Sequence, residues 1–310
     1  MALMRTALLA GSKSVWLRER AMRTSFVRRS VSRFMPGETL DAALAAARRL
    51  QQSERMGSIL THLGENLASP AEAEAVTAHY LDVLEQVRAG GYDCEISVKP
   101  TQLGLDLDVE LAYRNLVAIA RRAYELSNFV WIDMESTPYV DPTLSLFRRA
   151  RAEVPSLGVC LQAYLHRTRA DLEALLSMGP AVRIVKGAYS EPPSLAIARK
   201  ADVDENFYSL SSRMLQPDAL QNGGRLAIGT HDGRVIERLQ HFVTERSVPR
   251  ARYEFEMLYG IQRGLQRRLL AEGWPLRVLI SYGEFWFPWY MRRLAERPAN
   301  VLFVVKSMFR

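Results

Sequence analysis

Cysteine is scarce in this 310-residue chain, and the two present, Cys94 and Cys160, each fall in a short apolar segment. A disulfide framework has no support, a four-cysteine zinc site is excluded, and the usage fits a reducing compartment. None of the five histidines forms a His-x-x-x-His pair, no serine occupies a nucleophile elbow, and no glycine-rich nucleotide fingerprint occurs. No metal site is expected. Apolar runs are short as well. The stretches at residues 301–305 and 7–10 fall far below the roughly 20 residues that span a bilayer.

What remains is an ordinary globular composition, 48% apolar and 24% charged, enough for a substantial core. The formal charge is +7, and much of the excess sits at the start. Residues 1–34 hold eight basic side chains (Arg5, Lys13, Arg18, Arg20, Arg23, Arg28, Arg29 and Arg33) against the single acid Glu19. Three readings of this arm stand side by side: a solvated helical arm, a segment that dwells on an anionic membrane surface, and a targeting peptide. A nucleic-acid platform is disfavoured because the arm lacks interleaved aromatics.

Leu40, Leu44, Ala47 and Leu50 recur at helical spacing. Ser69, Pro70 and Glu72 form a capping box for a second helix with the stripe Val76, Tyr80, Val83, Leu84 and Val87, stopped by Gly90 and Gly91. Short strands then alternate with helices. Strands are predicted at 94–99, 129–134, 157–162, 182–186, 225–229, 252–255, 277–280 and 301–305. Helices are predicted at 108–126, from Asp141 and Pro142 onward, and at 168–179, 201–216, 234–244, 262–272 and 289–296. Such repetition calls for parallel pairing, and a count of eight favours a closed (β/α)8 barrel over a doubly wound sheet. The expected organisation is an α/β chain: residues 1–90 form a basic helical arm and N-terminal helices, and residues 91–310 form the barrel.

Polar residues end several strands where apolar filler is expected: Lys99, Asp133, Gln162, Lys186 and, just beyond a strand, His231 with Asp232. In a barrel these ends share one mouth, where chemistry belongs; a loop-solvated side chain is the alternative for each. Arg292, Arg293 and Glu296 share a helix face beside Trp289 and Tyr290. Two adjacent guanidinium forks suit a carboxylate ligand, although an outward salt-bridged face has the same spacing. From physics alone a barrel hydrolase using Asp133 and Glu296 is the runner-up.

Several motifs recur together in a known order: Ser97-Val98-Lys99 with Gln102-Leu103-Gly104, Ile132-Asp133-Met134-Glu135, Leu161-Gln162-Ala163-Tyr164-Leu165 and Arg183-Ile184-Val185-Lys186-Gly187-Ala188-Tyr189. They continue with Thr230-His231-Asp232, Phe255-Glu256-Met257-Leu258-Tyr259-Gly260, Tyr282-Gly283 and Arg292-Arg293-Leu294-Ala295-Glu296. In these pieces the chain resembles the proline dehydrogenase family, including its short single-function bacterial members, from about Gly91 to Arg310. The resemblance implies a distorted (β/α)8 barrel with non-covalent FAD over its mouth. It further implies oxidation of L-proline to 1-pyrroline-5-carboxylate, with electrons passed to a membrane quinone. By likeness Arg292 and Arg293 hold the substrate carboxylate, and Lys99, Asp133, Ala188 and Glu296 line or brace that pocket. Gln162, Arg183, Lys186, Gly187, Thr230 and His231 match positions that contact the flavin. The implied location is the cytoplasm, with the basic arm resting on the inner membrane face as a hypothesis.

Two departures from the family pattern fall at positions that line the pocket in the family. Leu279 and Trp289 stand where tyrosines are usual, which removes two hydroxyls and changes pocket volume in opposite directions. Glu256 replaces a usual glutamine, Ser136 a usual acid and Ser281 a usual proline, and Gln262 and Gly264 depart from an arginine-aspartate pattern. A substituted proline or another cyclic secondary amino acid is therefore the alternative substrate.

Overall fold

Short apolar runs bounded by caps and glycines set the architecture. The computed structural model describes residues 31–64, 67–287, 290 and 291. Helix α1 (Leu40–Arg49) runs into a π-helical turn, Leu50–Glu54, and Arg55 in the left-handed region turns the chain into β1 (Gly57–His62). There follow α2 (Pro70–Gly90), β2 (Cys94–Val98), α3 (Val109–Glu125), β3 (Val130–Ile132), α4 (Val140–Glu153), β4 (Leu157–Gln162), α5 (Thr168–Glu173) and β5 (Ala181–Val185). The chain continues through α6 (Lys200–Met214), α7 (Pro217–Gln221), β6 (Arg225–Gly229), α8 (Gly233–Glu245), β7 (Tyr253–Leu258), α9 (Arg263–Ala271) and β8 (Leu276–Tyr282). All neighbouring strands pair in parallel, and β1 pairs β8 from Gly57↔Arg277 to His62↔Tyr282, closing an eight-stranded barrel.

The capping box and the glycine stop predicted for α2 form, and Asp108 caps α3, whereas Thr168 caps nothing: α5 begins at Thr168 after Arg167 with no side-chain cap. Ser69 accepts from Glu72 N while Glu72 Oε2 accepts from Ala68 N, Asp108 accepts from Leu111 N, and Gly91 at φ 62° ends α2. Asp141 is not the cap of α4: the helix starts at Val140, and the carboxylate instead faces Arg167 just before α5. One strand was missed. Gly57–His62 lies inside the segment read as helical, so the barrel starts upstream of Gly91. Its Ser58, Thr61 and His62 interrupt the continuous aliphatic run that marks a strand buried on both faces. The predicted strand at 301–305, all but residues 290 and 291 of the helix predicted at 289–296, and residues 1–30 of the arm lie outside the described residues.

Strand side chains alternate between the helix layer and the barrel interior. Leu60, Ile96, Ile132, Ile184, Ile228 and Phe255 pack outward in the main core. Ile59, Trp131, Ala181 and Ala227 form a separate interior layer with Leu279 against it. Gly158 makes room for Trp131: a Cβ there would stand 2.6 Å from the indole. Beneath lies a charged floor. Arg225 bonds Glu95 at 2.7 Å and Glu254 at 2.6 Å, and Arg277 reaches the same carboxylates at 3.5 and 3.2 Å. Both cysteines are buried thiols, and burial pushes each up to about 12, far from the reactive thiolate range.

Tyr80 of α2 supplies a rung where the β1–β2 ladder ends. Its fully buried hydroxyl accepts from His62 N at 3.0 Å and donates to the Ser97 carbonyl at 2.9 Å. Tyr80→Phe leaves two buried backbone groups unpaired, at about 1–3 kcal/mol each. Urea unfolding is expected to show a loss of at least about 2 kcal/mol; a change below about 0.5 kcal/mol contradicts the rung.

Candidate active site

Alternation along β2 and the residue after it places Ser97 and Lys99 on the same side, facing Asp133 just beyond β3. Lys99 Nζ contacts Asp133 Oδ2 at 2.7 Å, and Ser97 Oγ donates to Asp133 Oδ1 at 2.7 Å. From β5 the buried Arg183 donates through Nη1 to Asp133 Oδ1 at 3.0 Å and to Ser97 Oγ at 2.9 Å, and through Nε to Glu256 Oε2 of β7 at 2.5 Å. Its Cζ lies 4.7 Å from the Trp131 ring centroid. Four charges, two of each sign, thus share a largely buried mouth. Burial works to raise the carboxyl of Asp133, but Lys99 and Arg183 outweigh it and hold the group below the usual carboxylate range. Burial likewise opposes the charge on Lys99, and Asp133 more than restores it. At Glu256 burial outweighs the pull of Arg183 and holds the carboxyl above its usual range.

Arg183 also lines a cavity of about 530 Å³ with Lys186, Gly187, Ala188, Thr230, His231, Glu256, Leu258 and Leu279. Lys186 contacts Asp232 at 2.6 Å and also Asp204, and Lys200 reaches both acids. Asp232 doubles as the cap of α8, accepting from Arg234 N. His231 Nε2 accepts from Leu258 N at 2.9 Å, which leaves the proton of a neutral ring on Nδ1. Gly187, at φ 120°, has no space for a Cβ, which would stand 2.1 Å from Tyr164. Arg183 Nη2 and Glu256 Oε1 are buried without a hydrogen-bond partner among the described residues.

The structure thus brings Lys99, Asp133 and Arg183 into one network, and Arg183, Lys186, Gly187, Ala188, Thr230, His231 and Leu279 around one cavity. Gln162 stands apart from that wall: it is buried and donates to the Glu135 carbonyl at 2.8 Å, while the Glu135 carboxylate accepts from Thr101 N and Oγ1 at 3.0 and 2.7 Å. Trp289, Arg292, Arg293 and Glu296 lie outside the described residues. Ser97, Tyr80 and Asp204 were not foreseen. The two-residue step from Ser97 to Lys99 was the available signal for the first; nothing local marks Tyr80 or Asp204. Among the described residues no cluster of histidine, cysteine and acidic side chains is placed to hold a metal ion.

At the β1–β8 rim, His62 and His79 pack with ring centroids 4.7 Å apart, and His79 Nε2 bonds Tyr282 OH at 2.8 Å. Burial, with the neighbouring His79, lowers His62 from 6.5 to about 4. The unfolded chain therefore binds a proton that the folded chain refuses. Stability is full above about pH 6.5 and is lost as pH falls toward 4. After discounting for partial exposure this amounts to about 2 kcal/mol. Between pH 7.5 and 4.5, His62→Gln is expected to lose about 2 kcal/mol less than the parent in denaturant unfolding. Parallel losses sink the assignment.

A closed parallel barrel with its ionic network and cavity at the C-terminal mouth is the architecture of a (β/α)8 enzyme. A family model described as proline dehydrogenase matches residues 43–306. Proline dehydrogenase 1 of Bacillus subtilis subsp. natto is 37% identical over 278 residues, covering 90% of each chain. The Deinococcus radiodurans proline dehydrogenase is 36% identical over 283 residues, covering 90% of this chain and 89% of that one. Among solved structures, proline utilization A (PutA) from Bdellovibrio bacteriovorus inactivated by N-propargylglycine superposes with a TM-score of 0.82 at 21% identity. That match covers 96% of this chain and 36% of the other. The chain spans about a third of the length of the solved structures it matches, and at that identity the likeness shows the fold alone. The chain belongs to the proline dehydrogenase family and is an oxidoreductase.

Proposed function

We propose that this chain oxidises L-proline to 1-pyrroline-5-carboxylate with FAD and passes the electrons to a quinone. The observation that carries the reading is Arg183, pinned on three sides and presenting one unpartnered nitrogen at the wall of a cavity of about 530 Å³. The donors fit a flavin: a guanidinium, a histidine whose Nε2 is engaged, Lys186, and the Gly187 backbone at the cavity wall. Arg183, Lys186, Gly187, Thr230 and His231 would hold the group, with Gln162 bracing from behind. When bound, FAD accepts the hydride equivalent. The substrate's own amine lone pair forms the imine as that hydride leaves, so no residue is assigned as general base. Lys99 and Asp133 compensate charge around the pocket that Ala188 and Leu279 line, and the family resemblance assigns the carboxylate grip to Arg292 and Arg293 and further pocket roles to Glu296 and Trp289. Such a grip converts affinity into orientation. The hydrolase reading loses ground because both oxygens of Asp133 are committed to cations and Ser97.

The purified protein is expected to be yellow, absorbing near about 450 nm, and to bleach with L-proline without oxygen. A colourless protein that refuses FAD overturns the proposal. Leu279 in the cavity wall favours a second reading, the same chemistry on a substituted proline or other cyclic secondary amino acid. Kinetics on L-proline, hydroxyproline and pipecolate decide: a preference for an analogue above about tenfold, about 1.4 kcal/mol in transition-state binding, reassigns the substrate.

No helix among the described residues is long and apolar enough to cross a membrane. A quinone reductase nevertheless has to visit a bilayer, and the basic arm at residues 1–34 suits peripheral contact at its inner face. Pelleting with anionic vesicles at low salt, abolished at high salt, is the expected result; no pelleting at low salt removes this role.

A further inference from the structure

Arg183 is held by Glu256 at Nε and by Ser97 and Asp133 at Nη1, with Trp131 beside its Cζ. Only Nη2 is uncommitted among the described residues, and Oε1 of Glu256 is uncommitted beside the same cavity. The local charge count is therefore balanced: Lys99 and Arg183 against Asp133 and Glu256. Remove the charge of Glu256 alone and the cluster carries a net positive charge in a buried setting, where Coulomb terms are screened far less than in water.

We infer that Glu256 is a positioning residue that fixes the aim of Arg183 and, by cancelling its charge, holds down the electron affinity of whatever redox group fills the cavity. This rests on the flavin reading above. A bound flavin gains negative charge on two-electron reduction, so a carboxylate nearby disfavours the reduced form and a guanidinium favours it. Burial works against the charge on Glu256, and the guanidinium bonded to it at 2.5 Å is what favours its carboxylate form. A side chain that still accepts from Arg183 Nε but carries no charge would keep that aim, so geometry and charge are separable by substitution.

Glu256→Gln keeps an acceptor for Arg183 Nε and removes only the charge. Reductive titration of the flavin-loaded protein against a reference dye is expected to shift the two-electron equilibrium about tenfold toward the reduced form, about 30 mV. Sulfite, whose adduct with flavin is anionic, is expected to bind about tenfold tighter. Glu256→Asp, which retains the charge, is expected to stay within about threefold of the parent in both measurements. Three outcomes overturn the inference: E256Q titrating with the parent, E256D shifting as far as E256Q, or E256Q purifying without flavin while the parent retains it. The last assigns Glu256 a structural role only. A parent protein that takes up no flavin at all defeats the flavin reading itself, a different failure that the first titration separates.

Discussion

Asp133→Ala is expected to cost about 3–5 kcal/mol of folding stability, because it strips two buried cations of a shared counter-charge. Asp133 contacts Lys99 at 2.7 Å and Arg183 at 3.0 Å, and it accepts the Ser97 hydroxyl. Without it Lys99 keeps no ion pair among the described residues, and Arg183 relies on Glu256 alone. Removing Lys99 as well is expected to restore part of the loss, since Glu256 still balances Arg183; a Lys99→Met, Asp133→Ala cycle measures that coupling. The pH dependence has a definite sign. Folding holds the Asp133 carboxyl below its free value of 3.8, so its contribution is present above that pH and disappears as pH falls through the folded value. A D133A protein within about 1 kcal/mol of the parent at neutral pH contradicts the network.

Arg183→Met is expected to lower the anaerobic flavin-reduction rate by about 10²–10³-fold, the usual loss when a preorganised donor at the reacting centre is removed. Methionine replaces much of the aliphatic volume over Trp131. Asp133 keeps Lys99, and Glu256, left without its cation, takes a proton rather than remaining a buried anion. Flavin should therefore stay bound while the chemical step slows, and stopped-flow bleaching separates the two. A rate within about fivefold of the parent, about 1 kcal/mol on the barrier, removes Arg183 from the reactive face of the cavity.

Much of this architecture was legible in local pattern. Ser69 with Glu72 and Asp108 are caps because each side chain satisfies an amide of the first helical turn, a relation confined to three residues. Lys99, Asp133 and Lys186 stood out because a charged residue ending an apolar strand conflicts with burial unless it is used. β1 escaped notice because Gly57–His62 holds only Ile59 and Leu60 as aliphatic residues, and its burial comes from neighbours remote in sequence. Glu256 was visible as a departure from a pattern, but its attachment to Arg183 spans 73 residues of chain.

By itself, the sequence determined the alternation of strand and helix, the ends of most elements, and which strands terminate in charge. These follow from backbone conformational preference and hydrophobic period, which act over a few residues. Only the tertiary structure decided which strand closes the barrel, that Tyr80 bridges β1 to β2, and that Lys99, Arg183, Asp133 and Glu256 cancel one another. Closure and charge balance depend on distances between strands far apart in the chain, and a buried charge is tolerable only once its partner has been brought within bonding reach.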